Sequence, residues 1–166
     1  MSTADNLLAA FAGESQANRR YLAFAQKAET EGFPQVARLF RAAAEAETVH
    51  AHSHLRAMDG VKSTPENLEA AIGGEAHEFK QMYPEFLAQA QQEGVKKAEI
   101  TFKNALAVEE IHHGLYTKAL QAVQAGQDLP ERNIHVCSIC GHTVYGSAPE
   151  RCPVCNAPHE RFTEVR

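Results

Sequence analysis

Two Glu-x-x-His segments, Glu47-Thr48-Val49-His50 and Glu109-Glu110-Ile111-His112, are the residues of this chain best placed to do chemistry. Each lies in a long alanine-rich stretch that reads as helix. There an i, i+3 spacing puts a carboxylate and an imidazole on one face, within reach of one metal ion. Single glutamates recur at similar depth in two further helical stretches. Glu14 shares a stripe with Phe11, Asn18 and Tyr21, and Glu75 is followed one turn later by Glu78. Carboxylates turned toward a core are costly without partners, and a pair of bound cations removes that cost. Oxygen-rich ligation with His50 and His112 adding one nitrogen each suits iron or manganese, and by ligand type alone admits zinc. A second pair, Glu110 and His113, repeats the spacing one residue on, but a step of one residue rotates a helical position by about 100°. Leu106 and Tyr116 share the face of Glu109 and His112, which favours that pair as the inward one.

The chain's only cysteines carry a second, chemically different signal. Cys137-x-x-Cys140-Gly141 and Cys152-Pro153-x-Cys155 form two knuckles separated by eleven residues. Each knuckle presents two thiolates to one ion, giving a tetrahedral S4 site for zinc or a single iron. Clustered pairs fit metal ligation better than a disulfide framework, and they imply a reducing compartment. The expected location is cytoplasmic.

The elements that must position these residues are mostly helices. A first helix is expected from Thr3 or Asp5 to Glu31, ended by Gly32-Phe33-Pro34, and a second from Pro34 to Met58. A connection of about fourteen residues follows, holding a short helix from Thr64-Pro65-Glu66 to Ala71. It is long for adjacent antiparallel helices and has the length of a crossover along a ferritin-like bundle. Gly73-Gly74 opens a third helix running to Gln92, kinked at Pro84, and a fourth runs from Val95 to Ala125. Composition changes after Asp128-Leu129-Pro130-Glu131. The expectation is a four-helix bundle over residues 1–127 and a small β-rich metal domain over 133–166, too small to fold without a metal staple.

Bulk properties exclude several function classes. The net charge is −5 and no run of Lys or Arg forms a basic stripe, so nucleic acid is not an expected partner. No apolar stretch approaches membrane-spanning length, and the first residues lack the basic and apolar pattern of a signal peptide.

The order and spacing of Gly13-Glu14-Ser15-Gln16-Ala17, Glu47-x-x-His50, Gly74-Glu75-x-x-Glu78, Met82-Tyr83-Pro84-Glu85-Phe86 and Glu109-Glu110-x-His112 resemble the rubrerythrin family. With the terminal tetracysteine segment, which is similar to rubredoxin, the resemblance covers nearly the whole chain. It implies a mainly α, ferritin-like di-iron bundle with a rubredoxin-like domain. The implied iron ligands are Glu14, Glu47, Glu75, Glu78, Glu109 and His112, with His50 exchanging with Glu78 as the oxidation state changes. It implies two non-haem irons in the bundle, one iron on Cys137, Cys140, Cys152 and Cys155, and a homodimer. The chemistry expected of such a pair of sites is reduction of hydrogen peroxide to water in oxidative-stress defence, with electrons from an external donor relayed through Fe(Cys)4. The rival readings are a ferroxidase or iron-handling protein, which needs no relay, and a non-catalytic module whose cysteines hold zinc.

Overall fold

The structure, a computed structural model, describes residues 2–165. The chain divides into two compact units, Met1–Lys62 and Ser63–Arg166.

The first unit is an antiparallel helical hairpin, α1 (Thr3–Thr30) and α2 (Pro34–Ala57). Ser2 caps α1 reciprocally with Asp5, whose carboxylate accepts the Ser2 N–H at 2.7 Å. The turn is set by Gly32, at φ +83°, and by the Phe33 N–H, which reaches back to the Ala28 carbonyl at 2.8 Å. Pro34 then opens α2 at a position where its missing N–H costs nothing. The fully buried side chains of the hairpin are alanines: Ala25 and Ala28 on α1, and Ala37, Ala44 and Ala51 on α2. The seven-residue spacing on α2 is that of a supercoiled seam, and the small side chains let the helices close upon each other. Tyr21, Phe24 and Phe40 stack at 5.6–6.4 Å beside that seam.

In the second unit, α3 (Thr64–His77) passes through a π-helical turn, Glu78–Met82, directly into α4 (Tyr83–Glu93); α5 (Lys96–Gln124) packs against both. The expected helix boundary at Gly73-Gly74 is absent. The capping box of Ser63 and Glu66, with Pro65 in the first turn, starts the helix at Thr64, and neither glycine adopts positive φ to stop it. The connection from α2 is therefore residues 58–63, not a crossover of about fourteen. Pro84 is accommodated by the π turn before it: the Tyr83 N–H bonds the Glu78 carbonyl, five residues back.

The C-terminal segment forms a three-stranded antiparallel sheet in the order β2-β1-β3. Strands β1 (Ile134–Cys137) and β2 (Thr143–Tyr145) fall on the two short β-like runs of the sequence; β3 (Phe162–Val165) is additional. Cys137, Cys152 and Ala157 form its buried core, with Phe162 packed against them. The Tyr145 hydroxyl bonds the Pro130 carbonyl and ties the linker to the sheet. Among the described residues no helix is long and apolar enough to cross a membrane.

The alanine seam yields a stability prediction. Ala44 is 1 % exposed, so Ala44→Leu overpacks it. It should lower stability by about 1–3 kcal/mol, read by thermal denaturation. An unchanged melting temperature would show that the seam is not close-packed.

Candidate metal centres

Among the described residues, three clusters of metal-ligating side chains have their donor atoms within 4.8 Å of one another: Glu14, Glu47 and His50; Glu75, Glu109 and His112; and Cys137, Cys140, Cys152 and Cys155.

The first cluster belongs to the hairpin. Glu47 is largely shielded, and its Oε2 lies 3.0 Å from His50 Nδ1; the His50 side chain is 55 % exposed. Beside them Asn18 donates from Nδ2 to the Ala44 carbonyl at 2.7 Å and to Thr48 Oγ1 at 2.9 Å, tying α1 to α2 next to the ligating face.

The second cluster belongs to the other unit. His112 Nδ1 lies 2.8 Å from Glu109 Oε2 and 3.7 Å from Glu75 Oε1. Glu109 and His112 face inward. Glu110 is exposed, and His113 packs edge-on against Phe79 with ring centroids 5.4 Å apart. Glu78 lies one turn beyond Glu75, where the π turn begins, and is outside the tight cluster. Its carboxyl still feels the cluster: burial and then the Glu109 charge raise its pKa, against the opposing pull of His77 and His112.

Electrostatics show what this cluster lacks. Burial, and then the charge and hydrogen bond of Glu109, push the Glu75 carboxyl up to about 7. Burial and the charges of Glu109, Glu78 and Glu75 likewise raise the Tyr83 hydroxyl. A carboxylate pair that retains a proton near neutrality is a pair short of positive charge. A cation supplies that charge and displaces the proton, so the donor set fits a carboxylate-bound metal.

The third cluster is built from two matching loops. The Gly141 N–H bonds the Cys137 carbonyl and the Cys137 N–H bonds the His142 carbonyl; Asn156 and Cys152, and then Cys152 and Ala157, repeat the arrangement. Gly141, at φ +84°, and Asn156, at φ +60°, take the same left-handed corner in their respective knuckles. The Cys137–Cys155 and Cys140–Cys152 sulfur pairs stand 3.7 and 3.5 Å apart. A tetrahedron with metal–sulfur bonds of ~2.3 Å has edges of ~3.8 Å, so four thiolates here fit one ion. Burial raises the Cys140 and Cys155 thiols. At Cys137 burial acts the same way, but the Ile139 and Cys140 N–H groups outweigh it and lower the pKa.

One hydrogen bond joins the second and third clusters. His112 Nε2 lies 2.9 Å from Thr143 Oγ1, and the Thr143 hydroxyl donates to the Gly141 carbonyl at 3.1 Å. With its own proton committed to Gly141, Thr143 accepts from His112 Nε2–H, and Nδ1, 2.8 Å from Glu109 Oε2, is the nitrogen that a metal at this cluster would take. Nothing in local sequence periodicity marks Thr143; its only sequence signal is its place two residues after Gly141, at the end of the first knuckle.

The chain matches the family model described as Rubrerythrin over residues 5–120, and the rubrerythrin rubredoxin-like domain over residues 135–163. It belongs to the rubrerythrin family. Rubrerythrin-2 of Clostridium acetobutylicum is 36 % identical, over 96 % of this chain and 95 % of that protein. Nigerythrin of Nitratidesulfovibrio vulgaris is 36 % identical, over 98 % of this chain and 86 % of its own. A solved structure of mixed-valence nigerythrin superposes with a TM-score of 0.58, covering 99 % of this chain and 87 % of that one. Membership sets the fold as a ferritin-like bundle with a rubredoxin-like domain, and the cofactors as a di-iron centre and an iron tetrathiolate, for which the clusters above supply the donors. Rubrerythrins are iron oxidoreductases of the oxidative-stress response.

Two predictions follow from the second cluster. Glu75 holds its proton to about pH 7 in the metal-free fold, against 4.5 for a free glutamate. Its folded pKa is raised, so its stabilising contribution is complete below pH 4.5 and fades as the pH climbs to about 7. Chelated protein should therefore lose melting temperature across that window more steeply than chelated Glu75→Gln, while iron affinity rises across it; parallel melting curves would count against the pair. Thr143→Val should keep the tetrathiolate chromophore and weaken metal retention at the carboxylate site by about 10–100-fold, read by chelator competition. Equal retention would leave the His112–Thr143 bond without a role there.

Proposed function

We propose that this protein is a cytoplasmic peroxidase that reduces hydrogen peroxide to two waters with two electrons and two protons. The proposed centre is a di-iron site ligated by Glu14, Glu47, His50, Glu75, Glu78, Glu109 and His112. Electrons enter from an external donor protein through an iron held by Cys137, Cys140, Cys152 and Cys155, in a homodimeric assembly. The observation that carries this reading is the hydrogen bond from His112 to Thr143, which places a ligand of the carboxylate site one bond from the tetracysteine knuckle. A site that only stores or oxidises iron has no use for a built-in route of re-reduction.

When bound, a ferrous pair supplies two electrons to the O–O bond in one encounter, and the tetrathiolate iron replaces them singly. The residues do the rest. The carboxylates balance the charge of the cations and can change binding mode as that charge changes. His50, more than half exposed, and Glu78, outside the tight cluster, are the proposed exchanging pair. The Tyr83 hydroxyl, raised by burial and by the charges of Glu109, Glu78 and Glu75, keeps its proton beside the carboxylates. The Tyr83, Phe86 and Phe102 rings pack 5.6–6.3 Å apart next to Tyr83's end of this cluster.

Anaerobic reduction, metal analysis and peroxide titration of both centres test the proposal. Iron near three per chain and peroxide-driven oxidation of a red chromophore are expected. Glu109→Ala should lower turnover by at least about a hundredfold and leave the red chromophore intact. Cys137→Ser should do the reverse: donor-driven cycling stops, while a chemically reduced bundle still turns over once. A colourless zinc protein that consumes no peroxide, or iron oxidation by dioxygen with no response to peroxide, would replace this reading with a binding module or a ferroxidase.

A further inference from the structure

Within the second unit, Ser63–Arg166, helix α5 and the sheet enclose a cavity of about 620 Å³. Its walls are mainly apolar: Leu68 of α3, Leu115 and Ala119 of α5, Leu129 of the linker and Ile134 of β1. His112 and Thr143, the hydrogen-bonded pair that joins two of the metal-ligating clusters, also line it. Their polar atoms are already used, Nε2 on Oγ1 and the Thr143 hydroxyl on the Gly141 carbonyl. A concave, mostly apolar hollow of roughly 300–1,000 Å³ with a few placed polar groups is the form of a small-molecule site.

The charge on this wall is of one sign. Lys118 and Arg132 line the cavity, both are exposed, and neither makes an ion pair among the described residues. Asp128 and Glu131 stand close by in the linker sequence, yet no carboxylate belongs to the lining. The result is a positive mouth in a chain whose net charge is −5. Two other apolar hollows give the contrast. One of about 370 Å³ between α4 and α5 includes Glu93 and no cation, and one of about 430 Å³ on the hairpin sets Lys27 beside Glu31. An apolar body gains by leaving water for the walls of the larger cavity, and its two unpaired cations attract a negative head at the mouth.

We infer that this cavity binds an amphipathic carboxylate of the fatty-acid class, its chain against Leu68, Leu115, Ala119 and Ile134 and its head at Lys118 and Arg132. A sugar or a nucleotide base would need donors and acceptors that these walls do not offer, because those of His112 and Thr143 are spent on each other and on Gly141. The bound chain shares a wall with the His112–Thr143 bond, so its arrival is registered beside a ligating residue of the carboxylate cluster. Such a ligand is distinct from hydrogen peroxide, which has no apolar body to fill this volume.

Calorimetry on the iron-loaded protein tests this, with laurate kept below the concentration at which it forms micelles. Saturable binding of one laurate per chain is expected, weakening as salt is added. Dodecyltrimethylammonium carries the same chain on a cationic head and should bind at least about tenfold more weakly. The double variant Lys118→Glu, Arg132→Glu lies on the exposed rim and should reverse that order of preference. Ala119→Phe fills the place of the chain and should abolish laurate binding; the charge-reversed protein decides the matter alone if that variant does not fold. Equal binding of the two amphiphiles, laurate uptake that never saturates, or undiminished laurate affinity in the charge-reversed protein would each overturn the proposal. So would a fall in molecular mass by light scattering when laurate is added, which would assign the cavity to a second copy of the chain.

Discussion

Like charges held close together are the constraint on which the bundle depends. Burial and the neighbouring Glu109 force Glu75 to keep its proton to about 7, and Glu78 and Tyr83 are drawn the same way. A hydrophobic replacement at these positions would pack with less conflict, so the conflict itself carries the information: this part of the molecule is incomplete as protein alone. The helices are arranged to keep the carboxylates close. The π turn at Glu78–Met82 lets α3 continue past Pro84, so that Glu75, Glu78 and Tyr83 stay on one rod instead of being divided by a break. The His112–Thr143 bond then orients the imidazole with Nδ1 toward Glu109 and Glu75.

Two kinds of helix contact support this arrangement. On the hairpin, alanines at 37, 44 and 51 give a smooth seam with little side-chain interlock. Its specificity comes from polar ties, above all Asn18 to the Ala44 carbonyl and Thr48, one turn from Glu14 and Glu47. In the other unit, the Tyr83 and Phe86 rings of α4 pack against Phe102 of α5 at 5.6–6.2 Å. Stiffness and ligation are thus separated, with bulky rings fixing the rod and small or polar residues lining the side that receives metal.

The chemistry was more legible in the sequence than the connections were. Glu-x-x-His and Cys-x-x-Cys depend on spacings within one or two turns, which local geometry sets regardless of what surrounds them. The preference for Glu109 over Glu110 rested on periodicity in the same way, and in the structure Glu110 points to solvent. Helix ends are different, because a boundary is a competition between signals. Gly73-Gly74 reads as a break, but Ser63, Pro65 and Glu66 form a complete start signal and no helix-ending turn follows before Gly94. Thr143 lay outside local reasoning altogether, since it meets His112 across 31 residues of chain. The shortness of the connection at residues 58–63 emerged only once the start of α3 was placed.

His142 shows how the two metal chemistries can be neighbours without disturbing each other. It is 8 % exposed, its Nδ1 has no hydrogen-bond partner among the described residues, and its ring stands edge-on to Phe162. Burial, helped by the nearby His112, lowers its pKa and keeps it neutral. Its backbone N–H, by contrast, points at the Cys140 sulfur and favours the thiolate. A protonated imidazole there would set a full positive charge beside the tetrathiolate and deepen its hold on an electron. The neutral ring adds no such charge, and the backbone N–H groups of Ile139, Cys140, His142 and Ala157 favour the thiolates instead.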